Sequence, residues 1–282
     1  MYILVKHIII LNIIIKLDMP KGEGLKMIKM TISNIKGGVA KTTTAATLAA
    51  GLQRKGKRVL AIDSDPQTNL TMCFVKENED MPTLYQLYAN GSSIKDIRTT
   101  VKPGLDIVAG DFTLCSADME FLAKVGSLKL LSKALKEVEK EYDYVIIDTP
   151  PNLGFLSLNS FMASDYVITP MAADSFSLKA IRLLKKTIDD VAEEAGKEIP
   201  VAGILLTRYT DRTNIARALE DNVNSAAKML DTKVFNSRIR QATVIQESQL
   251  MRKDIFEYAP KAPVTADYEK FIKELLKITE GK

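Results

Sequence analysis

From residue 27 onward, short runs of β-branched and other apolar residues alternate with longer stretches in which apolar positions recur every three or four residues. The short runs occupy 27–33, 58–63, 105–109, 144–148, 166–170 and 201–206, and each reads as a buried strand. Between them, 42–55 places Ala45, Leu48, Ala49 and Leu52 on one helical face. The same period runs through 128–142 with Leu131, Leu135 and Val138, and through 178–195 with Ile181, Leu184, Ile188 and Val191. Strand and helix in alternation predict an α/β fold, a doubly wound, mostly parallel sheet with helices on both faces. The stretch 76–104 carries the weakest pattern and is expected to make a surface excursion. No repeat, low-complexity linker or composition break interrupts 27–282, which reads as a single domain.

Residues 1–26 stand apart from this pattern. Positions 2–17 are nearly all Ile, Leu and Val, broken by Lys6, His7, Asn12 and Lys16. The run falls short of the ~20 residues a membrane-spanning helix needs, and no small-residue cleavage site of a signal peptide follows Leu17. Met19, Met27 and Met30 follow, and Lys21-Gly22-Glu23-Gly24 is spelled by purine-rich codons, as a ribosome-binding site is. We read 1–26 as an apolar leader translated from upstream DNA, with the working chain starting at Met27. The alternative is an additional apolar strand or helix packed on the domain.

Composition narrows the chemistry. With 46% hydrophobic and 26% charged residues the chain is globular rather than disordered. A formal charge of +4, from 39 basic against 35 acidic residues, is too slight to announce a nucleic-acid binder, so any basic surface must be local. The one histidine is His7, in the leader, which leaves 27–282 without imidazole for a Ser-His-Asp triad, general-base work or a histidine metal site. Carboxylates, lysines, hydroxyls and backbone must do the work. Two cysteines, Cys73 and Cys115, cannot build a four-thiolate zinc site, fit a reducing cytosol, and are expected as buried structural thiols.

Residues 31–44 read T-I-S-N-I-K-G-G-V-A-K-T-T-T, a β-run, a glycine pair, then Lys-Thr opening a helix. Phosphates need closely approaching backbone N–H groups, the positive end of a helix, a lysine for the β/γ oxygens and a hydroxyl for magnesium. Gly37, Gly38, Lys41 and Thr42 supply them. The ordinary Walker pattern has glycine where this chain has Ile35 and Ala40, and a second lysine, Lys36, precedes the glycine pair. Asp63 closes one strand, with Asp65 two residues on, and Asp148 closes another. Taken singly, each reads equally as a helix cap or turn. At the carboxyl edge of a doubly wound sheet, all three can face one set of phosphates.

Lys36 to Thr43, K-G-G-V-A-K-T-T, resembles the deviant Walker A box of the ParA/MinD family of ATPases, whose fold is that of P-loop NTPases. Residues 58–68, R-V-L-A-I-D-S-D-P-Q-T, look like the family's second motif, and 142–151, Y-D-Y-V-I-I-D-T-P-P, like its Walker B strand and switch. Leu205-Leu206-Thr207-Arg208 is similar to the strand end that meets the adenine, and Glu247 and Ala259-Pro260 sit where chromosomal-type ParA proteins have a Glu-Ala-Pro turn and a later Ala-Pro. The resemblance implies ATP and Mg2+ as cofactors. Lys36, Gly37, Gly38, Val39, Ala40, Lys41, Thr42 and Thr43 would hold the phosphates, and Thr207 and Arg208 the adenine, although Arg208 equally fits a surface ion pair. Thr42, Asp63 and Asp148 would serve the metal, Asp148 through water. Asp65 would orient or activate the attacking water. Lys36 would reach across a nucleotide-sandwiched homodimer to the partner's phosphates, as an arginine finger does. Ala40 stands where most relatives have glycine, and in a left-handed conformation alanine costs roughly 1–2 kcal/mol.

ParA-type members bind DNA nonspecifically and MinD-type members bind membrane. For DNA the sequence offers Arg238, Arg240, Arg252 and Lys253, and a helix bearing Lys179, Arg182, Lys185 and Lys186. Tyr268, Phe271, Ile272, Leu275 and Leu276 form an apolar stripe that matches the family's last core helix rather than a membrane anchor. The resemblance therefore implies a cytoplasmic, nucleoid-associated ATPase that partitions DNA and is stimulated by a ParB-like centromere-binding partner. A MinD-like positioning ATPase and a non-hydrolysing, nucleotide-gated DNA scaffold are the alternatives.

Overall fold

The computed structural model of the protein describes residues 26–76, 81–172, 178–209 and 215–281, with 215–221 as backbone only. The apolar leader, apart from Lys26, lies outside the described residues. Eight strands form one sheet: β1 (Ile28–Ile32), β2 (Val59–Asp63), β3 (Arg98–Lys102), β4 (Leu105–Val108), β5 (Tyr144–Asp148), β6 (Tyr166–Ala172), β7 (Val201–Tyr209) and β8 (Val234–Arg240). Their order is β3-β4-β2-β5-β1-β6-β7-β8, parallel throughout except for β3, which runs antiparallel to β4.

Successive strand side chains point to opposite faces, and the core divides accordingly. Val59, Ala61, Tyr144 and Ile146 enter one apolar cluster, while Leu60, Ile62, Val145 and Ile147 enter another. The first half of the chain adds α1 (Lys41–Arg54), α2 (Asn69–Phe74), α3 (Leu84–Asn90), α4 (Ile94–Ile97), α5 (Ala117–Phe121) and α6 (Leu130–Lys136). Then follow α7 (Phe155–Ala163), α8 (Leu178–Ala195), α9 (Ile215–Met229), α10 (Thr243–Leu250), α11 (Ile255–Tyr258) and α12 (Pro263–Glu280). Helix α1 shares the first cluster with α11 and α12, contributing Ala45, Leu48, Ala49 and Leu52 against Phe256, Tyr268, Phe271, Ile272 and Leu275. The α12 stripe is thus core, each large side chain worth roughly 1.5–3 kcal/mol of burial. On the opposite face, α3, α4, α6 and α7 cover one end of the sheet, and α7, α8 and α9 the other. Among the described residues no helix is long and apolar enough to cross a membrane.

The sequence pattern placed six strands within about three residues of their observed ends and missed β3 and β8. The expected surface excursion over 76–104 is overturned: α3, α4 and β3 occupy most of it, and Leu84, Leu87, Tyr88, Ile94 and Ile97 are buried. Elements of four to seven residues are too short to display a period. The helix expected over 128–142 is regular only in α6. Glu137 and Val138 donate to Ala134 and Leu135, three residues back, so the chain continues in tightened turns that still bury Val138. Cys73 is only half-buried and Cys115 is exposed, against the expectation of two buried thiols. Cys115 sits on a single 3-10 turn, Phe112–Ser116, whose buried residue is Leu114.

Gly203 on β7 is a close approach. A Cβ there would lie 2.6 Å from the Phe235 ring, and that ring is held edge-on to Phe271 at a centroid distance of 5.0 Å. Gly203→Ala should therefore lower stability by about 1–3 kcal/mol in urea denaturation, and the added Phe235→Leu substitution should recover part of the loss. An unchanged midpoint for the single variant would show that the ring can yield.

Candidate nucleotide site

The in-register pairing of three parallel strands creates the site. Asp148 at the end of β5 stands beside Ile32 at the end of β1 and beside Asp63 at the end of β2. The chain leaving β1 must therefore pass over two buried carboxylates. Asn34 shapes that passage: its Nδ2 donates to the Pro170 carbonyl at 2.8 Å, and its Oδ1 accepts the Lys36 N–H at 3.0 Å. Gly38 (φ 73°) and Ala40 (φ 63°) are left-handed, a backbone that turns successive N–H groups toward one concave side. Ala40 is the N-cap of α1 and provides no side-chain cap, so the first amides of the helix remain for a ligand. Thr207, at the end of β7, donates its hydroxyl to the Val39 carbonyl at 3.1 Å and ties the loop to the sheet.

Lys41 begins α1 with its ammonium group turned inward, donating to the Lys36 carbonyl at 3.3 Å. Burial lowers its pKa, opposed by Asp148 and Asp65. Thr42 donates to Asp148 Oδ2 at 2.6 Å, while Asp148 Oδ1 is buried with no hydrogen-bond partner among the described residues. Burial, with Asp63 nearby, pushes the Asp148 pKa well up. Asp63 is pushed up to about 6 by burial, despite accepting from the Thr71 amide and hydroxyl, both at 2.7 Å, and from the Asp65 amide at 3.2 Å. Asp65 in turn accepts the Gln67 N–H at 2.9 Å. Thr71 was not foreseen, and its one signal is its place a turn into the helix after β2.

The donor set fits magnesium. A hard cation takes a threonine hydroxyl, a carboxylate, waters and phosphate oxygens, and it keeps acids ionised that burial alone would protonate. The unpartnered Asp148 oxygen, the Thr42 hydroxyl and the lifted Asp63 and Asp148 meet this description. Among the described residues no group of three or more His, Cys, Asp or Glu side chains is placed to hold a metal ion.

Beside the loop a cleft of about 250 Å³ is lined by Ala40, Thr43, Thr207 and Arg208, and by residues of β8, α10 and the turn joining them, among them Gln241 and Gln246. Arg208 is left-handed (φ 52°), and its guanidinium approaches Gly38. The turn residues carry no motif, and sequence reasoning passed over them. Glu247, expected in a turn, lies inside α10 and accepts from the Tyr258 hydroxyl at 3.4 Å. The four DNA candidates separate. Arg238 stacks on Tyr209, 4.8 Å from the ring centroid, and donates to its hydroxyl at 2.7 Å. Arg240 grips the buried Asp267 carboxylate with two bonds, at 2.6 and 3.0 Å. Arg252 and Lys253 occupy the exposed turn after α10, Lys253 3.6 Å from Glu257.

Sheet order, loop and buried carboxylates define a P-loop nucleotide-binding protein of the deviant Walker type. A family model described as an AAA domain matches residues 26–201. The chain is 32% identical over 248 residues to the sporulation initiation inhibitor protein Soj of Bacillus subtilis, across 87% of this chain and 97% of that protein. It is 34% identical over 248 residues to the chromosome partitioning protein ParA of Myxococcus xanthus, across 87% of each. Accordingly, the chain belongs to the ParA/Soj family of partition ATPases. Among solved structures, cobyrinic acid a,c-diamide synthase from Mycobacterium smegmatis, with bound ATP analog and magnesium, superposes with a TM-score of 0.78 and 27% identity over 89% of this chain and 94% of that one.

The strained residue gives a test. Ala40→Gly removes the Cβ clash of a left-handed alanine and should raise stability by about 1 kcal/mol in urea denaturation, once the greater freedom of glycine in the unfolded chain is allowed for. A loss of stability would show that the loop carries no strain at Ala40.

Proposed function

We propose that this protein is an ATP-dependent DNA partition ATPase whose ATP-bound homodimer binds DNA nonspecifically and is discharged by a ParB-like partner. The observation that carries the reading is the Thr42–Asp148 hydrogen bond beneath a left-handed loop, with Lys41 buried beside it. Lys41 and the amides opening α1 cradle the β- and γ-phosphates. Thr42, and Asp148 through water, would hold Mg2+, which would supply positive charge for the phosphate oxygens. Asp63, locked by Thr71, fixes the Asp65 backbone, and Asp65 orients the attacking water. Lys36 acts on the nucleotide of the second protomer, which couples dimerisation to ATP. Thr207 serves both the loop and the adenine cleft.

Three variants separate these roles. Lys41→Ala should lose ATP binding by isothermal titration, because it removes the cation at the β/γ-phosphates. Asp65→Ala should bind ATP with parental affinity and show at least a hundredfold lower phosphate release. Lys36→Ala should bind ATP yet stay monomeric by light scattering. Parental behaviour of any one of them removes the role assigned to that residue.

DNA contact is assigned to the exposed turn bearing Arg252 and Lys253, while Arg238 and Arg240 on β8 are engaged with Tyr209 and Asp267. Arg240→Ala is a poor probe, since it would leave the Asp267 carboxylate buried without its partner. Arg252→Ala with Lys253→Ala should instead weaken duplex binding in the ATP state alike on all sequences, and reduce the salt slope by ~0.9 log units for each DNA phosphate that is no longer neutralised. Parental affinity and slope would move the DNA surface to Lys179, Arg182 and Lys186 of α8.

A further inference from the structure

The loop from Thr149 to Gly154 joins Asp148 to α7, and its fastenings are unequal. At its start, the Thr149 hydroxyl donates to the Ile32 carbonyl at 2.9 Å. In its middle, Asn152 Oδ1 accepts the Gly154 N–H at 3.2 Å, and the Asn152 carbonyl accepts the Ser157 hydroxyl at 2.6 Å. At its end, α7 has Gly154 as N-cap and hence no capping side chain of its own. The missing acceptor comes from α5. Asp118 Oδ1 takes the Phe155 N–H at 2.6 Å, setting a carboxylate at the positive end of α7. A Cβ on Gly154 would fall 2.2 Å from Asp118 Oδ2, so the carboxylate lies directly against the glycine backbone.

We propose that Asp118 is a positioning residue for ATP hydrolysis, which it serves by fixing the far end of the loop that follows Asp148. The proposal rests on the partition-ATPase reading of the site. The adenine cleft is built at the opposite side of the phosphate loop, from β7, β8 and α10, and neither Asp118 nor the loop from Thr149 to Gly154 lines it. Loosening this loop therefore acts on turnover, through the surroundings of Asp148, and leaves the cleft that holds the base as it is.

Two measurements on the full-length protein with ATP and Mg2+ test this. In hydrogen–deuterium exchange, Asp118→Ala should speed exchange of the Phe155 amide at least tenfold and leave the amides of α1 at the parental rate. In steady-state assays it should lower kcat at least tenfold with the nucleotide Kd unchanged within twofold. Asp118→Asn, which keeps an acceptor oxygen toward Phe155, should recover most of both effects. Parental exchange at Phe155 in Asp118→Ala overturns the anchor. Faster exchange with parental kcat overturns its bearing on hydrolysis, and exchange raised equally in α1 reduces Asp118 to general stability. If the parent itself does not hydrolyse ATP, the function assigned above fails, while the exchange experiment still decides whether Asp118 fastens the loop.

Discussion

The parallel register of β2, β5 and β1 fixes everything at the carboxyl edge of the sheet. Because side chains alternate between faces, a one-residue slip of β5 against either neighbour would exchange the Tyr144–Ile146 set for the Val145–Ile147 set and carry Asp148 away from both Asp63 and the phosphate loop. The apolar interior on both sides of β5 forbids that slip, since each face is already matched to its own cluster. Core packing thereby holds the position of an ionisable group at the end of the same strand.

What the packing delivers is expensive to hold. Three ionisable side chains, Asp63, Asp148 and Lys41, are taken out of water within one constellation, and burial works against the charge of each. Such groups weaken a fold unless charge and hydrogen bonds answer them, and perturbed groups of this kind gather at functional sites. The left-handed Ala40 adds a backbone cost at the same place. On the proposed reading the site is preorganised for an anion–cation pair, its amides and Lys41 for the negative member and its carboxylates for the positive one.

Much of this was legible from the chain because its signals are local. A glycine pair after a β-run, a Lys-Thr opening a helix, and aspartates closing apolar runs are all contained in windows of about a dozen residues, and the structure gathers them where the motif implied. Other features depend on neighbours distant in sequence. Asp267 claims Arg240 and Tyr209 engages Arg238, so residues that read as a basic surface are partly engaged within the chain. Thr71 looks like an ordinary helix residue until Asp63 is placed beside it. Strand β8 was lost because Ser237 occupies the inward position between Phe235 and Ile239, which breaks the apolar alternation at its centre. Cys115 misled because a cysteine carries no mark of the turn that exposes it.

The partnership of α1 with α12 bears on how the chain is made. Helix α1 carries Lys41, the lysine proposed for the phosphates, yet its apolar side is roofed by Phe271, Ile272 and Leu275, which leave the ribosome more than two hundred residues later. Contacts of such separation are slow to close, and until they do the emerging α1 presents bare hydrocarbon. The loop at the start of α1 consequently gains its support only once α12 has been made. A nascent chain that already possesses the whole glycine loop still lacks the layer that keeps it in place.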